Sequence, residues 1–382
     1  FPSYSFVVSD VHGHVLSLPF VLLTLGLIIQ IFGFNKLNKW MFALYGFMCG
    51  ILLMTNALDG PIYTGLLLLL LLFTHLEWLE KAKAAVIAIF TTIMTALPFM
   101  WYFKSFVSGI AVNCPPGFLA GQKFGPLLFE SVEKCQRSPL WMILLLWGLF
   151  IYCGIWFLVK LKPTQNLLIT TLFVVSVGLI IFPEFLYFKD IYPQHFRSNT
   201  MFKLGYQAFI MFGLVSGYTI YKLKSKLFWV GLIPLLFLAF SFPFFSVRSY
   251  FGDLKTYVGL DGAKWLKQQY PDDWQAIVWL NQNSREGDVV VEADGDSYTD
   301  YQRVSTFTGR QTVVGWAVHE WLWRGSYDVV APRREEVRQI YENPDEAWTI
   351  IDKYNIKYIF LGSLERQKFT KFTISYYKRR SA

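Results

Sequence analysis

The first groups in the chain that could do chemistry lie in the run Ser9-Asp-Val-His-Gly-His14, which contains Asp10, His12 and His14. A carboxylate can act as a general base toward a hydroxyl, and imidazoles can orient a phosphate or bind a metal. A structural alternative is that Ser9 or Asp10 caps the following helix and the histidines only mark its boundary. His-x-His alone identifies no metal, so a divalent metal stays an open possibility.

A second carboxylate, Asp59, occurs in Asn56-Ala-Leu-Asp-Gly-Pro61 at the end of an apolar segment. If the flanking helices pack together, Asp59 could lie near Asp10 and support either that base or a metal. Asp-Gly-Pro is also ordinary turn chemistry. The sequence leaves both interpretations open.

A third group follows Glu184 and contains His195, Arg197 and Lys203. An arginine can clamp a phosphate with two hydrogen bonds, and a lysine adds a point charge. Basic residues near the ends of membrane spans also extend to the lipid headgroups without further function. The mixture of histidine, basic and acidic residues favours a phosphate site.

Aromatic and polar residues alternate near the C-terminus, at Trp316, His319 and Glu320 and on to Arg324. Aromatic faces bordered by polar groups suit sugar stacking or contact with the membrane interface. A packed domain interface explains the same pattern. We therefore treat these three residues as candidate substrate-binding residues.

Long apolar segments must position the groups near the N-terminus. Hydrophobic residues make up 54% of the 382 residues and charged residues only 16%, against the usual ~25%. Eight segments are long enough, or nearly so, to cross a ~30 Å hydrocarbon core. They run approximately over 14–34, 40–58, 62–79, 84–102, 139–159, 166–184, 203–221 and 227–246. The sequence predicts a mainly α polytopic membrane protein with a transmembrane region over 1–249.

The remaining residues, 250–382, predict a small α/β domain. We expect a helix opening at Pro271, a strand over Val289 to Val291 and a helix that buries Val337 and Ile340. A further helix over about 346–354 and a strand over about 358–361 complete this domain. The chain therefore contains two regions of different character.

Charge predicts the sidedness of the spans. Residues 1–249 hold 17 Lys and Arg against 8 Asp and Glu, while the rest holds 18 against 19. The lysines between spans follow odd-numbered spans, at Lys36 and Lys39, Lys81 and Lys83, Lys160 and Lys162, and Lys222, Lys224 and Lys226. Because such loops favour the cytoplasm, we expect the candidate residues and the C-terminal domain to lie on the extracytoplasmic side of the cell membrane. This placement disfavours nucleic acid as a partner, since the excess charge forms no stripe on the soluble part.

Two further features stay open at the level of sequence. Cys114 and Cys135 share one polar loop and could form a disulfide in an oxidising compartment. The chain begins at Phe1 without an initiator methionine, so upstream spans could precede it. Neither the disulfide nor the oligomeric state follows from residue types.

Several of these segments together resemble the highly hydrophobic YYY membrane protein family (the Chlor-Arch-YYY domain). Phe6 to Val15 is similar to its Asp-x-His-x-His boundary motif, and Asn56 to Tyr63 to its Asn-x-x-Asp-x-Pro-x-Tyr stretch. The resemblance continues in Arg197 to Lys203 with Tyr206-Gln207, in Ser305 to Gly309, and in Gly315 to Trp321. Gly13 departs from an expected proline, and Leu58-Asp59-Gly60 replaces a more aromatic turn.

That family is similar in architecture to the polytopic C-type glycosyltransferases, which use an outer-face Asp and a polyprenyl-phosphate sugar donor. The resemblance implies transfer of a sugar to an acceptor on the outer face, with Asp10 as base and Asp59 supporting it. It implies that Arg197 and Lys203, with His195, neutralise the phosphate leaving group. The alternative is a non-catalytic protein that binds or organises lipid-linked glycans. An ion-coupled transporter is disfavoured, because the predicted spans hold few ionisable groups.

Overall fold

The computed structural model describes residues 2–33, 38–105, 107–190, 195–255 and 259–371, so Lys36 lies outside the described residues. The chain divides into two compact units. The first contains Phe1–Phe103 and Val107–Thr256, and the second contains Lys104–Phe106 and Tyr257–Ala382. Each unit has its own hydrophobic core and is described by itself.

The first unit is mainly helical. Its helices are α1 (Pro2–Val7), α2 (Gly13–Leu16), α3 (Leu18–Gly33), α4 (Lys39–Thr55), α5 (Asp59–Phe73), α6 (Trp78–Met100), α7 (Leu140–Lys160), α8 (Leu167–Phe185), α9 (Ser198–Lys222) and α10 (Lys226–Tyr250). Every predicted apolar segment overlaps one of the longer helices, α3 to α10. Among the described residues, four of them, α6, α7, α8 and α10, are long and apolar enough to cross a membrane. The helices α3, α4 and α5 are apolar but shorter.

Several helix boundaries differ from the predicted ones. The helix α6 begins at Trp78 and not at 84, so the predicted loop residues Lys81 and Lys83 lie inside this helix. The first predicted segment is divided, because Pro19 cannot continue a helix that ends at Leu16, and α3 starts afresh at Leu18. The third predicted segment ends early, where the Thr74 hydroxyl donates to the carbonyl of Leu71 at 2.8 Å. The seventh begins five residues early, at Ser198, which adds a full turn before Lys203.

A small sheet of four strands forms in the first unit from β1 (Gly109–Val112), β2 (Lys123–Phe124), β3 (Leu127–Phe129) and β4 (Leu186–Lys189), in the order β2-β3-β1-β4. The strand β1 runs parallel to β3 and antiparallel to β4. A disulfide joins Cys114 and Cys135 in the same loop. Since β4 directly follows α8, this sheet connects the loop to the start of α9, where the Thr200 hydroxyl accepts from the Phe188 amide at 3.0 Å.

The core of the first unit lies between α3, α4, α5, α6, α8 and α9. Apolar side chains at helical spacing fill it, including Ile28, Leu52, Leu67 and Met211, each essentially inaccessible to solvent. Polar side chains also enter this core. The Tyr45 hydroxyl donates to the Tyr63 carbonyl at 2.8 Å, which ties α4 to α5.

The second unit has helices on both faces of a parallel pair of strands. Its elements are α11 (Lys264–Gln269), α12 (Pro271–Asn283), β5 (Val289–Val291), α13 (Arg303–Thr308), α14 (Ala317–Arg324), α15 (Val330–Glu342), α16 (Pro344–Tyr354), β6 (Ile356–Ile359) and α17 (Ser363–Lys368). Val290 packs with Leu280 of α12, while Val291 packs with Ile340 of α15. Alternate residues of one strand thus face the two helical layers, as the period of a strand requires.

Candidate functional site

The carboxylate of Asp10 lies between two imidazoles. Its Oδ1 contacts Nδ1 of His12, and its Oδ2 lies 3.4 Å from Nε2 of His14. The segment that carries these residues turns sharply, since Ser9 adopts a left-handed backbone conformation before α2 begins. The side chain of Asp10 keeps 23% of its surface exposed, so its oxygens remain reachable from outside the fold.

The second imidazole joins this segment to α9. His14 is 6% exposed and packs against the rings of Phe202 and Tyr206, each with a centroid distance of 4.8 Å. Its Nε2 also lies 3.4 Å from the Ser5 hydroxyl. His14 is therefore a packed residue that orients Asp10, whereas His12 is more than half exposed.

A close backbone approach fixes α2 against the end of α4. A Cβ placed on Gly13 would lie 2.2 Å from the carbonyl oxygen of Thr55, far below contact distance. Glycine therefore permits this approach. The approach brings the Asp10 segment beside the turn that leads to Asp59, and it explains a glycine at a position where the family pattern suggested proline.

Asp59 lies inside the protein. Its side chain is fully buried, and its Oδ1 accepts from the Asn56 amide at 2.8 Å. Nearby, the Tyr63 hydroxyl donates to Oε1 of Gln207 at 2.9 Å. A buried carboxylate needs compensation, and Asp59 receives it from the side chains of Ser17, Asn56 and Gln207 and from a nearby positive charge.

Lys203 provides positive charge in this region. Its ammonium group interacts electrostatically with the carboxylates of Asp59 and Asp190, and also with His14. Lys203 lies in the second turn of α9, one turn before Tyr206. The structure thus connects three of the predicted site residues, Asp59, Lys203 and His14, and through His14 it connects Asp10.

Arg197 contacts the end of α8, and no hydrogen bond or ion pair joins it to Asp10, Asp59 or Lys203 among the described residues. It is 8% exposed, and its Nη1 donates to Oε2 of Glu184 at 2.9 Å and to the Pro183 carbonyl at 3.0 Å. Glu184 also accepts from the backbone amide and the hydroxyl of Ser138. This ion pair fixes the start of α9 to the end of α8. His195, two residues earlier, is exposed.

Within the described ranges, no group of three or more His, Cys, Asp or Glu side chains has an arrangement that could hold a metal ion. The nearest approach to a metal-ligand set is the Asp10 segment, where the two imidazoles stack with centroids 5.8 Å apart. The contacts of Asp10 with both rings suit hydrogen bonding and proton transfer.

The remaining predicted site residues line an open cleft of about 600 Å³ in the second unit. The Trp316 indole donates to the Tyr301 carbonyl at 2.9 Å, and Nδ1 of His319 lies 2.6 Å from the Ser297 hydroxyl. Glu320 accepts from the Gly315 amide at 3.2 Å. Trp316, His319 and Glu320 therefore share one site, with each side chain held by its own hydrogen bond.

Sequence reasoning assigned no role to several residues that complete these sites. Tyr63, Tyr206 and Gln207 belong to segments that resemble the YYY family, but the sequence predicts no role for them. Their signal was the run of polar residues on α9, where Lys203, Tyr206 and Gln207 occur at spacings of three and four. Such spacing places them on one helix face, toward the bundle.

The fold defines a helical membrane protein with a second, α/β unit. Residues 1–167 and 152–212 match a family described as "Uncharacterized membrane protein (DUF2298)". The two matches together span more than half of the chain, so the chain belongs to this family. No curated protein and no solved structure matches it. Membership therefore establishes a membrane protein and leaves its activity to be argued from the site.

Proposed function

We propose that this chain is a membrane glycosyltransferase that transfers a sugar from a polyprenyl-phosphate donor to an acceptor on the outer face. The observation that carries the proposal is the Asp10 carboxylate, held by His12 and His14 against α9, which also carries Lys203. A reachable carboxylate and a lysine that both interact with His14 match the two needs of the reaction, a base and a counter-charge for a phosphate.

In the proposed reaction, a hydroxyl of the acceptor attacks the anomeric carbon of the donor sugar. Asp10 takes the proton of that hydroxyl as the new carbon–oxygen bond forms. The bond between the anomeric carbon and the phosphate oxygen breaks, and the polyprenyl phosphate leaves with the electron pair. The imidazoles of His12 and His14 orient the carboxylate before it is protonated.

Lys203 would neutralise the charge that develops on the leaving phosphate. Its attraction to the carboxylates of Asp59 and Asp190 supports this role, because both act against the desolvation that burial imposes on the ammonium group. Asp59 then acts through Lys203 and does not touch the substrate. In the same proposal Arg197, through Glu184, holds the first turn of α9, and the exposed His195 lies just before that turn.

The membrane placement is part of the proposal. Eight crossings, α3 to α10 in order, would put α2, the start of α9 and the second unit on the extracytoplasmic side, opposite Lys83 and Lys162. The disulfide between Cys114 and Cys135 supports this orientation, since structural disulfides persist in oxidising compartments. Membrane lipids and a lipid-linked sugar are then the immediate partners.

The test compares the full chain with its Asp10→Asn variant in lipid nanodiscs, with polyprenyl-phosphate sugars as donors. The variant should bind donor as the wild type does but lose transfer by at least ~100-fold, the contribution of a general base. Glu133→Gln, a carboxylate-to-amide change at an exposed loop residue, is the matched control and should transfer normally.

Two other outcomes would revise the proposal. Undiminished transfer by Asp10→Asn would remove Asp10 from the reaction. Donor binding without transfer in the wild type would favour the second candidate, a protein that binds lipid-linked glycans without turnover. The observation that favours this second candidate is the same pair of contacts between Asp10 and the two histidines, because such contacts also fix a segment that has no catalytic role.

A further inference from the structure

The cleft of the second unit has the composition of a carbohydrate site. One face of α14 presents His319, Glu320 and Trp323, and Trp316 lies just before its first residue. Residues three, four and seven apart fall on the same side of a helix. The polar residues Gln302, Ser305 and Thr306 also line the cleft. Aromatic rings and hydrogen-bonding groups therefore border one open space.

The cleft lining contains the rings of Trp316, His319 and Trp323, and Tyr298 lies beside the first two. Trp316 and His319 have centroids 5.4 Å apart, and Tyr298 lies 5.8 Å from Trp316 and 5.5 Å from His319. Tyr298 and Trp323 are 75% and 74% exposed. Large rings held at a surface with faces open to solvent provide stacking surfaces for the apolar face of a sugar ring.

The charge in the cleft is balanced. Glu320, the acidic residue of the lining, pairs with Arg324 on the next turn of α14, and it also accepts from the Gly315 amide. A pocket whose ionic side chains pair with each other provides no unpaired charge for a phosphate or a cation. The volume of about 600 Å³ lies within the ordinary range for small-molecule sites.

From this arrangement we infer that the second unit binds a neutral sugar in the cleft formed by Trp316, His319, Glu320 and Trp323. If the proposed function holds, this sugar belongs to the acceptor, since the donor is recognised through its phosphate. A membrane contact is less suitable for the same surface, because insertion would remove the ion pair of Glu320 with Arg324 from water.

The test presents the full chain, in nanodiscs of neutral lipid, to an array of neutral and anionic glycans. Saturation-transfer NMR with the methyl glycosides of bound sugars then measures affinity. Trp316→Ala and Trp323→Ala should each weaken binding of a neutral glycoside at least tenfold. Trp279→Ala is the matched control, because Trp279 is a half-exposed tryptophan of the same unit that does not line this cleft.

If Trp316→Ala does not fold, Trp323→Ala still decides the test, since the ring of Trp323 is 74% exposed and lies outside the core. Absence of binding to any neutral glycan, binding restricted to anionic glycans, or wild-type affinity in both cleft variants would each overturn the inference. Enhanced binding of the wild type to anionic vesicles, lost in Trp323→Ala, would assign the surface to the membrane instead. Asp10→Asn should still bind the sugar, so failure of the transfer proposal stays distinguishable from failure of this one.

Discussion

Replacing Gly13 by alanine tests how the candidate base is positioned. The added Cβ would meet the Thr55 carbonyl oxygen at 2.2 Å, where ordinary contact begins at about 3.4 Å. The overlap is therefore about 1.2 Å, and it is with backbone, which cannot rotate aside as a side chain could. The segment that carries Asp10, His12 and His14 must move by a comparable distance.

The magnitude follows from this overlap. Overpacking of this kind costs about 1–3 kcal/mol, and a catalytic group misplaced by ~1 Å can lose about 100-fold in rate. If the cost reduces local stability, amide exchange over residues 9–17 should accelerate roughly 5- to 150-fold. Transfer, where it is observed, should fall with little change in donor binding.

Hydrogen exchange monitored by mass spectrometry on the full chain in nanodiscs measures the effect. Gly26→Ala is the matched control, because a Cβ at Gly26 of α3 meets no atom within 4 Å. This control should exchange as the wild type does. Unchanged exchange over residues 9–17 in Gly13→Ala would refute the close approach of α2 to α4.

Two predictions concern the buried charges of the second unit. Arg303 is 2% exposed and donates to Asp273 at 2.6 Å and to Glu365 at 2.8 Å, so Arg303→Met should destabilise this unit by about 3–5 kcal/mol. Unchanged exchange protection in α13 and α17 would contradict this. Burial raises the pKa of Glu292 to about 7, and this effect exceeds the opposite one of hydrogen bonds from the backbone amides of Ser305 and Val304, which lower the pKa. A carboxyl whose folded pKa is raised favours folding fully below its unfolded pKa and loses that contribution as pH rises to about 7. The melting temperature of the wild type should therefore fall from pH 5 to pH 7 relative to that of Glu292→Gln. Parallel pH profiles of the two melting temperatures would contradict this prediction.

Local patterns predicted much of the helical structure. Apolar segments of span length located the long helices of the first unit, because burial in lipid requires little beyond length and hydrophobicity. In the second unit, Pro271 at the first position of α12 and the β-branched run of β5 were readable for the same reason, since each signal is local.

The sequence did not predict the contacts that build the sites. Glu184 pairs with Arg197 across 13 positions, and Gly13 meets Thr55 across more than 40, with no periodic signal for either. The four short strands around the disulfide also escaped prediction, since strands of two to four residues depend on their neighbours more than on their own composition. Asp59 was expected as an active carboxylate, and its complete burial became visible only in three dimensions.

The proposed mechanism requires that the Asp10 segment and the start of α9 lie on the same aqueous face of the membrane. Single cysteines at Asp10, His195 and Lys162 can be labelled in intact cells with a membrane-impermeant maleimide, since the native thiols of Cys49 and Cys153 are buried. We predict labelling of Asp10→Cys and His195→Cys from outside, with Lys162→Cys labelled only after permeabilisation. Labelling of Asp10→Cys and His195→Cys from opposite sides would place Asp10 and the start of α9 on different faces of the membrane and contradict the proposed mechanism.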